Sequence, residues 1–307
     1  MNRRMITRIL TKKHEDFLQS IEDLDLRKAV NDNAIITGGS IASLLLNEPV
    51  KDFDYYFRNK ATCKQVADYY VKKFNAAHPE IDRKPIVQVK HDRIKIMVKS
   101  AGVVSEKGDA GYEYFESLPD EFSQKYVEKV VEVADETDSE HLNEMEKERY
   151  RPVFMSANAI TLSNKVQLVL RFYGNPEEIH KNYDFVHCTN YWTAKDNKLV
   201  LNQLALESLL SRQLQYMGSL YPVCSIIRAR KFLKQGWHIN AGQYLKMCFQ
   251  VSELDLTDIE VLEEQLTGVD AAYFFQVIDY CKKRQEADPN FRPDGPYLIS
   301  IIDKIFG

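Results

Sequence analysis

Several of the features that assign a sequence quickly are missing here. Five cysteines (Cys63, Cys188, Cys224, Cys248 and Cys281) are an odd number, widely scattered, with no CxxC pair and no Cys/His spacing of zinc-ligand type. That excludes a disulfide framework and fits reduced thiols, so a cytoplasmic location is expected. Uncharged runs such as residues 213–227 fall short of the roughly 18–20 apolar residues that span a bilayer. The opening MNRRMITRILTKKHEDF contains no apolar core of signal-peptide length. Neither membrane insertion nor secretion is expected. Lys+Arg (41) nearly balance Asp+Glu (45), and a formal charge of −4 gives no global basic field of the histone kind. The chain also lacks the GxGxxG of a dinucleotide fold and the GxxxxGK[ST] of a P-loop. No internal repeat is visible.

What remains is a chain of 307 residues, 44% apolar, enough for two ordinary hydrophobic cores. Residues 1–30 have apolar positions at helical spacing (Phe17, Leu18, Ile21, Leu24), and NDN at 31–33 is expected to end that helix. Residues 34–37 read as a short apolar strand. A GGS turn and a helix of about two turns follow, stopped by Pro49. DFDYYF (52–57) reads as a strand, 61–74 as a helix, and IVQVKHDRIKIMV (86–98) as a half-exposed hairpin. Residues 131–148 carry eight acids against one lysine, so a solvated acidic insertion is expected near 102–149. Three strand-like runs follow, PVFMSANAITL, VQLVLRFY and YDFVHCTNYW, and helical patterns occupy the chain from Leu199 onward. The expected fold is α+β, a mixed-sheet head over residues 1–195 followed by an all-helical domain over 196–307.

The informative segment is IITGGSIASLLLNEPVKDFDYYF (35–57). Side chains alternate along a strand, so Asp52 and Asp54 share one face while Phe53, Tyr55 and Phe57 take the other. Two carboxylates about 6.6 Å apart at their Cα atoms can share divalent cations. Mg²⁺ suits a few carboxylates plus phosphate oxygens and water. Upstream, Gly38, Gly39 and Ser40 place backbone N–H groups and a hydroxyl at a helix N-terminus, a setting for a triphosphate. The combination suggests a nucleotide with its metals, although either piece alone is more often structural.

Joined in this order, the segment resembles the amino-terminal signature of the DNA polymerase β superfamily of nucleotidyltransferases. More narrowly it is similar to the heads of CCA-adding enzymes and bacterial poly(A) polymerases, where a Gly-Gly turn, a Leu-Leu pair and a DxD follow one another as Gly38, Gly39, Leu45, Leu46, Asp52 and Asp54 do here. FMSANAI (154–160) and IIRARKFLKQGWHI (226–239) resemble two later segments of that family. Ala42 and Ser43 stand where it carries Arg-Asp, and its base-selecting signature is not recognisable. The later strand region also looks like uncharacterised nucleotidyltransferase-like proteins of large tailed phages.

The resemblance implies a polymerase β-like catalytic head in which Asp52 and Asp54 hold Mg²⁺ or Mn²⁺ and an NTP donates NMP to an acceptor hydroxyl. An RNA 3′ end, of tRNA or another RNA, is the expected acceptor. Nucleotidylation of a protein or small molecule is one alternative, and a degenerate, binding or virion-associated protein is another. Superfamily members usually bring a third carboxylate. Asp184, an acid in an otherwise apolar run where burial without a partner is costly, is the candidate for both catalysis and metal, against an equal reading as a turn cap. Asp92 reads as a hairpin turn residue.

Between Lys195 and Gln250 there are eight Lys/Arg and two acids. Arg228, Lys231 and Lys234 fall at i, i+3, i+6. Arg228 and Arg230 are the preferred binders of triphosphate or acceptor, because a guanidinium grips phosphate bidentately. His187 reads as a strand histidine, Cys188 as a buried apolar residue, and Trp192 and Trp237 as packing rather than base-stacking residues. Phe274, Phe275 and Tyr280 read as a core stripe.

Overall fold

A computed structural model of the chain describes residues 1–79, 84–90, 92–97, 103–105, 149–266 and 272–306. Most of the expected acidic insertion therefore lies outside the described residues, as do the side chains of Phe274 and Phe275.

The chain opens with two helices rather than one, α1 (Arg3–Gln19) and α2 (Leu24–Asn33). The break falls at Asp23, whose carboxylate accepts from the amides of Asp25 and Leu26 at 3.0 Å, an N-cap that restarts the helix. NDN remains helical, and the turn to extended backbone comes at Ala34. Then follow β1 (Ala34–Thr37), α3 (Gly39–Leu46), β2 (Phe53–Phe57) and α4 (Lys60–Ala77). Asn47, left-handed at φ 59°, ends α3 two residues before Pro49. The hairpin β3 (Ile86–Lys90) and β4 (Arg93–Met97) pairs as expected, with Asp92 at φ 62° in its turn, held by Lys60 and the Tyr173 hydroxyl.

The head completes with β5 (Val103–Ser105), β6 (Pro152–Ser156), β7 (Ala159–Leu162), β8 (Val166–Tyr173), α5 (Pro176–His180), a 3₁₀ turn at Val186–Cys188, β9 (Tyr191–Thr193) and β10 (Lys198–Val200). Among the described residues, eight strands form one mixed sheet in the order β10-β9-β1-β2-β8-β7-β6-β5. The β2–β8 pair is parallel and the other neighbours run antiparallel. Since β10 belongs to this sheet, the head runs to Val200, slightly beyond the boundary expected at 195.

The alternation in β2 sorts the two layers. Phe53, Tyr55 and Phe57 enter the main core with Ile6, Leu10 and Phe17 of α1, Val30 of α2, and Val66, Tyr70 and Phe74 of α4. Tyr56, on the other face, packs with Ile35 and Ile179. Asp52 and Asp54 share the parity of Tyr56, so the carboxylates lie on the face away from the main core.

The helical part comprises α6 (Gln203–Ser211), α7 (Pro222–Lys234), α8 (Ala241–Ser252), α9 (Ile259–Leu266), α10 (Ala272–Ala287) and α11 (Gly295–Phe306). Gly236 at φ 80° closes α7. Its amide donates to Leu233 O, and the Trp237 amide donates to Phe232 O, a Schellman pattern that only a residue at ease with positive φ accommodates. Among the described residues, two cores hold these helices. One joins Leu262, Leu266, Ile278, Cys281 and Ile301. The other joins Ala42 of α3 to Phe185, Leu209, Leu214, Ala229, Trp237 and Met247, locking the head to the helices. Tyr280 is 39% exposed, with Lys304 over its ring, so it does not belong to a core stripe.

Candidate functional site

The expected turn and carboxylates do meet. Strand β1 pairs β2 with Thr37 opposite Asp54, so the residue after Thr37 reaches the Asp54 carboxylate. That residue is Gly38, at φ +96°, and a Cβ there would stand 2.7 Å from Asp54 Oδ2. Two requirements, a backbone angle that L side chains avoid and a contact too close for a methyl, both select glycine. At Gly39, the first residue of α3, a Cβ would meet nothing within 4 Å, so this side of the turn faces open space. No side chain caps α3 at Gly38. The Gly38 amide itself is committed, donating to Cys188 O at 3.1 Å, which leaves the first-turn amides from Gly39 onward to face an anion. Ser40 is buried, and its hydroxyl has no hydrogen-bond partner among the described residues.

Asp54 carries the strongest electrostatic anomaly of the site. Burial, and then the neighbouring Asp52 carboxylate, hold its carboxyl well above the ordinary carboxylate range, while the Lys231 ammonium pulls it partway back. Two acids share one face, and there the charged form of Asp54 is disfavoured. A divalent cation relieves that condition, and the donor set matches the one or two carboxylates Mg²⁺ takes when phosphates and water supply the rest. Asp52 and Asp54 therefore fit such an ion.

Beneath the turn, Thr37 is fully buried. Its hydroxyl is 2.9 Å from Asn190 O and 2.9 Å from His180 Nε2. Burial pushes His180 down to about 4, so a neutral ring braces the end of β1. Sequence reading missed this brace, because Thr37 and His180 are far apart in the chain and neither belongs to a motif.

Asp184 goes elsewhere. YDFVH is not a strand beside β2: Phe185 makes an isolated bridge to Tyr216, and the Met217 and Gln215 backbones bond this segment to the helical part. The Asp184 carboxylate is buried. It accepts from Ser225 Oγ at 2.8 Å and from Arg228 at 2.5 Å, both on α7. No cluster of three or more His, Cys, Asp or Glu suited to a metal occurs among the described residues. The expected third metal ligand is thus corrected to the head's half of a joint with the helices, for the reason that made it a candidate: a buried acid needs a partner.

The same contact changes the reading of the basic helix. Arg228 pairs with Asp184 and remains only partly exposed. Arg230, two residues on, is exposed and about 200° further around α7, so it does not share that face. Lys231, one turn beyond Arg228, is the α7 cation whose field reaches Asp54. Its i+3 spacing from Arg228 was the signal available in the sequence. The rings of His187 and Trp237 pack at a tilt with centroids 4.2 Å apart, and both are buried, as is Trp192. All three are packing residues.

Ala42, which replaces an arginine of the resembled pattern, is buried in the apolar joint between head and helices. Fold and site together define a mixed-sheet head that presents a carboxylate pair against a glycine turn, closed on one side by a helical domain. The chain belongs to the Gabija anti-defense 2 family, whose description it matches over residues 8–212. That match takes in nearly the whole head and α6. A curated relative, Gabija anti-defense 2 of Bacillus phage SPbetaL7, is 22% identical over 143 residues, 46% of this chain. The match spans only 33% of that relative's length. Among solved structures, a Thermotoga maritima CCA-adding enzyme complexed with tRNA matches at TM-score 0.37 and 11% identity, over 92% of this chain and 54% of the other. A tRNA nucleotidyltransferase with a primer tRNA and an ATP analogue matches at 0.35 and 12%, over 89% and 57%.

Proposed function

We propose that the head is a metal-dependent nucleotidyltransferase that moves NMP from an NTP to an acceptor hydroxyl. The single observation that carries this reading is the contact between the Gly38 turn and Asp54, where the backbone closes to a distance no side chain permits beside a carboxylate held toward its neutral form. Asp52 and Asp54 would hold Mg²⁺ or Mn²⁺, which supplies charge neutralisation at the transferring phosphoryl group. The N-terminal amides of α3 receive phosphate oxygens, with Gly39 leaving the approach open. Lys231 adds positive charge from the helical side, in the place first given to Arg228 and Arg230. The Asp184–Arg228 pair holds α7 in register with the head.

The favoured acceptor is an RNA 3′ end, in keeping with the basic stretch 195–250. The family's name supports a role for this chemistry against a bacterial defence system. A second, non-catalytic reading rests on one observation, the commitment of Asp184 to Arg228, which leaves two carboxylates at the site among the described residues. Incubation with each α-labelled NTP, Mg²⁺ or Mn²⁺ and total cellular RNA separates the cases. Label on RNA supports the proposal, label on protein moves the acceptor, and no label with any NTP favours the non-catalytic reading.

A further inference from the structure

Away from the carboxylate site, the outer face of α1 borders a groove of about 720 Å³ whose far edge is the β9–β10 turn at Asn197. Arg4, Arg8 and Lys12 follow one another at i, i+4, i+8 along it, all exposed and none paired with an acid among the described residues. At about 1.5 Å rise per residue, their backbone positions are roughly 6 Å apart in a line.

The opposite edge is built rather than incidental. Asn197 is left-handed at φ 45°, and its Oδ1 accepts both from Thr11 Oγ1 at 2.7 Å and from the indole of buried Trp192 at 3.0 Å. The Trp192 indole and the Thr11 hydroxyl, which also lies 2.8 Å from Thr7 O, fix the carboxamide at the groove's edge. Arg3 ties the start of α1 to β10 by donating to Leu199 O. The groove therefore presents a row of donors and cations, until Glu15 and Asp16 end the run.

A single small anion needs one such cation or two, whereas a line of three at even spacing suits a regularly charged chain. Protein partners are anchored by apolar or aromatic side chains at the centre of an interface. Here the nearby aromatic, Trp192, is buried behind Asn197. We propose that the α1 groove binds the phosphate backbone of a nucleic-acid strand, through Arg4, Arg8, Lys12 and the Asn197 amide. This surface is separate from the carboxylate pair and does not depend on the proposed transfer reaction.

The test is fluorescence anisotropy of the full chain with a labelled single-stranded RNA of 20 nucleotides, over a range of salt. Arg4→Gln/Arg8→Gln/Lys12→Gln keeps helix-forming side chains at exposed positions, and circular dichroism checks its fold. It should bind about tenfold or more weakly, with the slope of log K against log salt reduced by about 2, the share of three phosphate contacts on a single strand. Glu15→Lys lengthens the cationic line and should tighten binding. Binding is measured without NTP or divalent metal, which keeps this result distinct from the outcome of the transfer assay. No RNA binding by the parent, equal binding by the triple variant, or competition by polyglutamate equal to that by poly(U) would each overturn the proposal. The last of these would point to an acidic protein partner.

Discussion

Two aspartates at the head–helix boundary have opposite fates. Asp54 lies beside Asp52, and burial and that neighbouring carboxylate hold it toward its neutral form against the pull of Lys231. Asp184 is the more buried of the two, and a guanidinium and a hydroxyl meet both of its oxygens. Folding alone accounts for the second arrangement, since a desolvated acid is tolerated once paired. It does not account for the first, which leaves like charges together beside a glycine turn. Perturbed carboxylates concentrate at functional sites, and the two sites should respond in opposite senses when their charge is removed.

The largest effect expected is on activity. Asp54→Asn should abolish nucleotidyl transfer, followed with α-labelled NTP, while leaving the urea midpoint unchanged or raised, because a repulsion is removed. Asp184→Ala should do the reverse in stability, lowering the unfolding free energy by about 2–4 kcal/mol in urea. It strands Arg228, which keeps some solvent and so reduces the full cost of breaking a buried pair. If both substitutions shift stability in the same direction, the contrast between the two acids fails.

Protonation sharpens the contrast from another side. His14 and His187 are buried and held down to about 4 by desolvation. Between pH 6.5 and 4 the unfolded chain binds the extra protons, so stability falls as pH drops through this window, by about 2 kcal/mol per histidine at pH 5. Asp54, with its raised folded value, works in the opposite sense: the folded state binds the extra proton, so its penalty grows as pH rises above the unfolded value near 3.8. His14→Leu with His187→Phe should flatten the acid limb of stability against pH, and Asp54→Asn should lift the neutral limb.

The smallest effects come from the turn. Gly38→Ala meets both a forbidden angle and the Asp54 carboxylate, and should cost about 1–3 kcal/mol. Gly39→Ala meets open space and should stay within about 0.5 kcal/mol. Thermal melts of the pair measure how much of the turn's glycine content is structural. Equal costs would remove the close approach of Gly38 from the account.

Local pattern carried much of this site. The apolar strand, the glycine turn and the alternation of DFDYYF placed Asp52 and Asp54 on one face from the sequence alone, because periodicity in a strand is a local property. The helices after Leu199 were legible for the same reason. YDFVH was not, since its hydrogen bonds go to Gln215 and Met217 through tertiary contacts that no window of sequence contains. Arg228 and Arg230 looked equivalent as phosphate binders until the helix fixed their directions. The Thr37–His180 brace, 143 residues apart in the chain, left no trace in any motif.

The central claim is that the Asp52–Asp54 pair, and not Asp184, is the cation site. Titration of Mn²⁺ in the presence of a non-hydrolysable NTP analogue, followed by electron paramagnetic resonance of the free ion, tests it directly. The account predicts that the parent and a folded Asp184→Asn bind Mn²⁺ alike while Asp54→Asn loses binding. Undiminished binding by Asp54→Asn, or loss confined to Asp184→Asn, would contradict it.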